Sequence, residues 1–394
     1  MIYLDNAATS WPKPQSVYDT LGSFLQEAGA NPGRSGHRMA VGAATAVNRT
    51  RELLARLLNI PDSNRIVFAA NATDALNQAI TGLVRPGMRV ITTSMEHNSV
   101  ARPLRVAVEN GAEVRKIACG SDGTVDPIDV AQAAADGVDL IVSTHASNVH
   151  GAVQPVAELA RIAHDAGALL LVDGAQTVGA MPVDVQALDI DLLAFPGHKG
   201  LMGPPGTGGL YIGPRVSLQA LAPVRLGGTG VNSEEDVQPS TLPARYESGT
   251  VNTVGIAALG AGVEFVLQTG VAEIARHEAQ LTSQLIAGLG KIPDVHVFEP
   301  NEAIQPAAVV SFLIAGWTPA DAGAVLDQSF DIACRTGLHC APDACRTIGA
   351  FPGGTIRFSP GWYTTTSDID TAIGAVAELA ANPLELDEGR QEVR

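Results

Sequence analysis

At 394 residues, with 46% hydrophobic and 17% charged side chains, the chain is too long for one small core and too apolar to be disordered. Its net charge of −16 argues against nucleic acid or an anionic membrane as the main partner, since either wants clustered Lys and Arg. The apolar runs stop far short of a membrane span, and Met1-Ile2-Tyr3-Leu4-Asp5 lacks a signal peptide's basic start. Four cysteines in such a chain lead us to expect reduced thiols and the cytoplasm.

In chain order, the pattern predicts a helix over residues 45–58, where Val47, Leu53, Leu54, Leu57 and Leu58 fall at helical spacing. A strand follows at 65–69 and a helix at 72–83, then strands at 89–93, 140–143, 169–173, 192–195 and 210–212. Continuous apolar runs, rather than alternation, read as a sheet covered on both faces. From Thr253 the character changes. Helices are predicted over 255–268 and 271–289, a strand over 308–313, a terminal helix over 369–381 and a charged, frayed tail over 385–394. The whole is an α/β architecture: a mainly parallel central sheet covered by helices, plus a smaller C-terminal α+β domain. We place the large domain at 16–255 and the small one at 1–15 with 256–394.

Ligands of an open α/β sheet sit at the carboxyl ends of its strands. Here those ends carry, in order, Asn71-Ala72-Thr73, Glu96-His97-Asn98, Ser147-Asn148, Asp173-Gly174-Ala175-Gln176 and Gly197-His198-Lys199. Each group suits a part of pyridoxal phosphate. A helix N-terminus with the Thr73 hydroxyl is a ready phosphate site. Asp173, closing a buried apolar strand, is a costly carboxylate unless a protonated pyridine nitrogen pairs it. Lys199 can hold the cofactor's aldehyde covalently, its pKa lowered by burial and by His198. His97 has the shape to stack on the ring. Taken singly, each also fits a plain role: Asp173 as a turn cap, Thr73 as an N-cap, His97 as a loop residue, Lys199 as a solvated lysine.

Gly203-Pro204-Pro205-Gly206-Thr207-Gly208 looks like the start of a nucleotide-binding loop, but Gly209 and Leu210 stand where Lys and Ser or Thr are needed. A second constellation is Cys334-Arg335-Thr336-Gly337-Leu338-His339-Cys340-Ala341-Pro342, with Arg357 beyond it. Arg335 and His339 near Cys340 make a setting that favours the thiolate nucleophile. Arg357 can clamp a carboxylate with two parallel hydrogen bonds. A metal loop of His339, Cys340 and Cys345 is the alternative, though the spacing matches no common zinc pattern. Cys119 and Cys334 read as small buried hydrophobes.

With Tyr3-Leu4-Asp5-Asn6-Ala7-Ala8-Thr9 at one end and Arg357-Phe358-Ser359 at the other, the chain resembles the cysteine desulfurase and selenocysteine lyase family, in its SufS-like group with a short cysteine loop. That family is the class V aminotransferase branch of fold-type I pyridoxal-phosphate enzymes. The resemblance implies conversion of L-cysteine to L-alanine, with a persulfide formed on Cys340 and passed to a sulfur-acceptor protein, for iron–sulfur clusters or another sulfurated product. It implies Lys199, Cys340 and His97 as the catalytic set, His97 stacking on the ring. Asp173 would hold the pyridine nitrogen, Gln176 the ring hydroxyl, and Thr73 and His198 the phosphate. Asn148, in contact with the cofactor, and Arg357 would hold the substrate carboxylate, while Arg335 positions the cysteine loop. Thr250, in Arg245-Tyr246-Glu247-Ser248-Gly249-Thr250, would reach the neighbouring subunit's phosphate, which implies a homodimer.

Three departures stand out. Pro196 replaces the usual Ser or Thr before Gly-His-Lys, removing a phosphate hydroxyl. Cys345 replaces a common His and places a second thiol near the persulfide. Val251 replaces a common Pro. Rival readings are a selenocysteine lyase or cystine-type C–S lyase, and a sulfur carrier without turnover.

Overall fold

The structure is a computed structural model and describes residues 1–32, 36–231, 234, 236–300 and 304–383. The expected tail at 385–394 lies outside the described residues. The chain opens with β1 (Ile2–Tyr3), α1 (Gln15–Glu27) and α2 (Arg38–Leu57), then β2 (Ile66–Ala69), α3 (Ala72–Leu83), β3 (Arg89–Thr93), α4 (Asn98–Glu109) and β4 (Glu113–Ile117). It continues through α5 (Pro127–Ala134), β5 (Leu140–Thr144), α6 (Val156–Asp165), β6 (Leu169–Asp173), β7 (Leu192–Pro196) and β8 (Gly208–Ile212).

These strands form a seven-stranded sheet in the order β2-β8-β7-β6-β5-β3-β4. β8 runs antiparallel to both its neighbours, and the remaining neighbours pair parallel. The apolar runs are continuous because successive side chains feed opposite faces. Leu170, Val172, Leu193 and Phe195 enter one apolar cluster, while Leu171, Leu192 and Ala194 enter the other. With both faces dry, a polar group at the end of such a strand emerges at the sheet's rim, the place where open α/β sheets bind ligands.

The second half adds α7 (Thr253–Thr269), α8 (Val271–Leu289), β9 (Val295–Phe298), β10 (Val310–Ile314), α9 (Pro319–Phe330), β11 (Ile332–Ala333), β12 (Arg335–Gly337), α10 (Pro342–Thr347), β13 (Thr355–Phe358) and α11 (Thr366–Ala381). Here the sheet is antiparallel, ordered β12-β13-β10-β9. β1 pairs parallel with β11, so the N-terminal segment joins this second unit. Ile256, Leu259 and Val263 of α7 pack into a cluster of the large sheet, across the boundary expected at 255. Among the described residues no single helix is long and apolar enough to cross a membrane.

Several elements differ from the sequence reading. α2 starts at Arg38 rather than 45, its early turns buried through Ala40 and Ala43, too small to register as an apolar stripe. β4 escapes because it is an edge strand with Glu113, Arg115 and Lys116 exposed. α11 begins three residues early at a capping box of Thr365 and Asp368. β10 covers Val310–Ile314, two residues later than its expected start.

The long segment between β8 and α7 is fastened by a buried ion pair. Arg51 Nη1 and Nη2 donate to Glu247 Oε1 and Oε2 at 2.9 and 3.0 Å, and Phe68 N donates to Oε1 at 2.7 Å. The Arg51 guanidinium lies 4.5 Å from the centre of the Phe68 ring. Glu247→Ala would strand a guanidinium that is 3% exposed. A loss of about 3–5 kcal/mol in urea-unfolding free energy is the expected result.

Candidate active site

Five strand ends of the large sheet converge on a cavity of about 480 Å³. Thr73, His97, Asn148, Asp173, Gln176, His198 and Lys199 line it, as does Pro196 at the end of β7. The cap of α3 is Asn71, whose Oδ1 accepts from Asp74 N at 2.9 Å. Thr73 is therefore free of capping, and its hydroxyl meets that of Ser99 at 2.7 Å. The opening amides of α3 form the positive end of a helix at the cavity wall.

His97 caps α4, its Nδ1 accepting from Ser99 N at 3.1 Å and lying 2.8 Å from Ser99 Oγ. An accepting Nδ1 places the ring proton on Nε2. Burial, then the charges of Lys199 and Arg335, pull His97 down to about 4, so it is neutral at physiological pH. Ser99, which links His97 to Thr73, was missed in the sequence because a lone Ser inside a helix carries no motif. Glu96 is also buried; its Oε1 accepts from Thr93 Oγ1 and Thr144 N, Oε2 has no partner, and burial pushes it up to about 8.

Asp173 is 3% exposed, and Oδ1 accepts from Ala175 N at 2.9 Å. Burial raises its pKa, opposed by that amide and by the charge of Lys199. Burial likewise pulls Lys199 down to about 8, Asp173 opposing and Arg357 and Arg335 reinforcing. No hydrogen bond of the Lys199 amine occurs among the described residues. His198 Nδ1 is buried without a partner, and burial, then Lys199 and Lys13, take that ring to about 4. Gln176 Nε2 donates to Ala7 O at 3.2 Å.

The turn carrying Lys199 is held from two sides. Gly197 passes so close to Thr207 that a Cβ would come within 2.1 Å of its hydroxyl, which explains the glycine. Gly197 N donates to Thr207 O, and Gly203 N donates to Gly197 O, both at 2.8 Å. The Gly203–Gly208 stretch thus supports this turn and runs into β8. From the other side, Thr9 Oγ1 and Lys13 Nζ donate to His198 O, and Ser10 Oγ donates to Lys199 O.

Cys340 is exposed at the end of the loop after β12. Thr73, His97 and Ser99 line both the cavity and an open groove of about 860 Å³ that contains Cys340 and Arg102. Arg335 Nη2 donates to Cys340 Sγ at 3.1 Å, and Asn98 N to Cys340 O at 2.8 Å. His339 and Cys340 both adopt left-handed backbone, with φ of 51° and 59°, a conformation that costs non-glycine residues energy.

One expectation is corrected here. His339 is 2% exposed, sits 2.8 Å from Thr355 Oγ1 through Nε2, and is pulled by burial to about 3. It is a neutral core histidine, so of the two neighbours Arg335 supplies the charge at the thiol. Cys345 is fully buried among Met95, Val149 and Ile348, and burial pushes its thiol up to about 11. It is a buried thiol within the core, its Sγ 3.6 Å from Leu338 O. Cys119 and Cys334 are half-buried against apolar clusters, and burial raises both. Among the described residues no group of three His, Cys, Asp or Glu side chains is arranged to hold a metal ion.

Arg357, on β13, is fully buried. Nη2 pairs with Asp5 Oδ1 at 2.6 Å, Nη1 donates to Asn148 O at 3.0 Å, and Nε has no partner. Asn148 Nδ2 donates to His339 O at 2.7 Å. Thr250 is not brought to the Lys199 cavity: it lines a separate cleft of about 680 Å³ with Arg225, Ser248, Val251 and Asn252.

A family model described as Aminotransferase class-V matches residues 2–371. A probable cysteine desulfurase of Methanothermobacter thermautotrophicus is 36% identical over 383 residues, spanning 96% of this chain and 94% of that protein. A cysteine desulfurase of Pectobacterium atrosepticum is 34% identical over 387 residues, with 96% and 93% covered. Among solved structures, the apo cysteine desulfurase of Thermococcus onnurineus superposes with a TM-score of 0.89 at 34% identity, covering 96% of this chain and 94% of that one. The Escherichia coli cysteine desulfurase CsdA, in an S-sulfonic acid form, gives 0.84 at 30% identity, with 95% and 94% covered.

Proposed function

This chain belongs to the aminotransferase class-V family, and we propose that it is a pyridoxal-phosphate-dependent cysteine desulfurase that converts L-cysteine to L-alanine and carries the sulfur on Cys340. The observation that carries the reading is the groove joining an exposed, Arg335-bonded thiol to the cavity of Lys199.

The cavity's own chemistry fits the cofactor. The unpartnered Lys199 amine suits its aldehyde, buried Asp173 its ring nitrogen, and the orphaned Nδ1 of His198 with the first turn of α3 its phosphate. Thr73 would add a hydroxyl there, Gln176 would face the ring hydroxyl and His97 would stack on the ring. Pro196 offers no hydroxyl, so the phosphate rests on fewer donors. When bound, pyridoxal phosphate supplies an electron-withdrawing ring that stabilises negative charge on the substrate's carbons.

The chain's own groups do the rest. Asn148 and Arg357 orient the substrate carboxylate. Lys199, with a pKa near 8, exchanges protons at the substrate's α-carbon near neutral pH. Arg335 holds the Cys340 sulfur, which attacks the sulfur of L-cysteine. An S–S bond forms and the Cβ–S bond breaks. Its electron pair stays on carbon, which takes up a proton to give L-alanine, and Cys340 is left as a persulfide. Placed at an open groove, that persulfide is accessible to a sulfur-acceptor protein, as iron–sulfur cluster assembly in the cytoplasm requires. Thr250, which lines the outlying cleft, would serve the phosphate of a neighbouring subunit in a homodimer.

The test is to incubate purified protein with L-cysteine, with and without a thiol acceptor, and identify the amino-acid product. L-Alanine in step with persulfide supports the reading, and no alanine from cysteine overturns it. Selenide from selenocysteine, with little turnover of cysteine, would move the assignment to a lyase. Cys345→Ala is expected to keep the desulfuration rate within about twofold of wild type, since it removes only a small core side chain. A loss matching that of Cys340→Ala would give Cys345 a part in the sulfur chemistry.

A further inference from the structure

The N-terminal motif around Asp5 has no part in the chemistry so far, yet it touches three groups of the site. Ala7 O receives Gln176, Thr9 and Ser10 grip the main chain of His198 and Lys199, and Asp5 pairs with Arg357. The last contact conflicts with a simple carboxylate clamp. Arg357 has no exposed surface, and its Nη2 already faces a carboxylate oxygen at 2.6 Å. Its Nη1 is engaged by Asn148 O, and Nε is buried and idle. Asp5 is 22% exposed, so it sits on the solvent side of the pair.

A buried guanidinium left without an anion is costly. A site that must bind an amino-acid carboxylate and then release it therefore needs a stand-in between turnovers. We propose that Asp5 is that stand-in: it occupies Arg357 in the empty site and is exchanged for the carboxylate of the entering amino acid. This rests on the reading of Arg357 as the substrate's carboxylate anchor. Exchange of one anion for another keeps Arg357 compensated throughout. It also makes the measured affinity the difference between two ion pairs, which keeps both L-cysteine and L-alanine from binding too tightly. Asp5 thereby sets affinity for the carboxylate end of the substrate without touching its sulfur.

The experiment compares Asp5→Asn with Arg357→Gln in the cofactor-loaded enzyme. Removing the competing charge is expected to lower KM for L-cysteine about tenfold, the equivalent of one charged hydrogen bond. The dissociation constant for L-alanine, read by calorimetry, should fall by a similar factor. Cysteamine, the same thiol and amine without a carboxylate, should gain nothing. Arg357→Gln should raise KM for L-cysteine. If it does so while Asp5→Asn leaves KM and alanine binding unchanged or weaker, Asp5 only positions Arg357 and the exchange is refuted. If Arg357→Gln leaves KM unaltered, the anchor assignment itself fails. Should Asp5→Asn not fold, Asp5→Ser removes the same charge and faces the same criteria.

Discussion

Cys340→Ala is expected to bind the cofactor like wild type yet lose desulfuration by on the order of 10^6-fold, the scale seen when a nucleophile is deleted from an otherwise intact site. The separation of the two properties follows from the structure. Cys340 lies in the open groove and is absent from the walls of the Lys199 cavity, so alanine there disturbs no contact that would hold the cofactor. Its backbone bond from Asn98 is independent of the side chain. What disappears is the sulfur at the end of Arg335. Visible absorbance of the bound cofactor and sulfide release in the presence of a reductant read the two properties separately. Desulfuration surviving at more than about a tenth of wild type would remove Cys340 from the reaction.

Lys199→Ala is expected to lose both. Without the amine there is no covalent attachment, and the proton carrier at the α-carbon is gone. A fall of about 10^2- to 10^4-fold in kcat is expected from the loss of proton transfer alone. The absorbance of a lysine-linked cofactor vanishes, while the fold stays intact. The main-chain bonds of the turn, from Thr9, Ser10, Lys13, Thr207 and Gly203, do not involve the lysine side chain. Circular dichroism separates loss of the amine from loss of the turn.

The parts of this site legible in the sequence are those where a buried apolar strand ends abruptly in a polar side chain. Asp173 and Lys199 announce themselves because nothing in a dry sheet otherwise calls for a carboxylate and an ammonium at its rim. The pairing of Asp5 with Arg357 was not legible. The two lie 352 positions apart, and only the association of the N-terminal segment with β13's unit brings them together. His339 shows a different limit. Its place beside Cys340 suggested a cation, but adjacency in a loop does not tell which of two neighbours turns inward, and the backbone sends this ring to Thr355. The burial of Cys345, one turn into α10, was hidden by the same limit. The fold was easiest to read where large aliphatics mark the period, as in α8, and hardest where alanines do the burying, as at the start of α2.

The lysine and the thiol ride on different sheets. Lys199 sits in the bend of a hairpin whose stems, β7 and β8, are both interior to the seven-stranded sheet and closed at Pro196 and Gly208. Cys340 hangs from the edge strand β12 of the other sheet. Two hydrogen bonds latch its loop to the large unit, Asn98 N to Cys340 O and Asn148 Nδ2 to His339 O. His339 and Ala341, both buried, add packing to these bonds. The separation of thiol and lysine is thus set by how the two units pack against each other, and neither sheet fixes it alone.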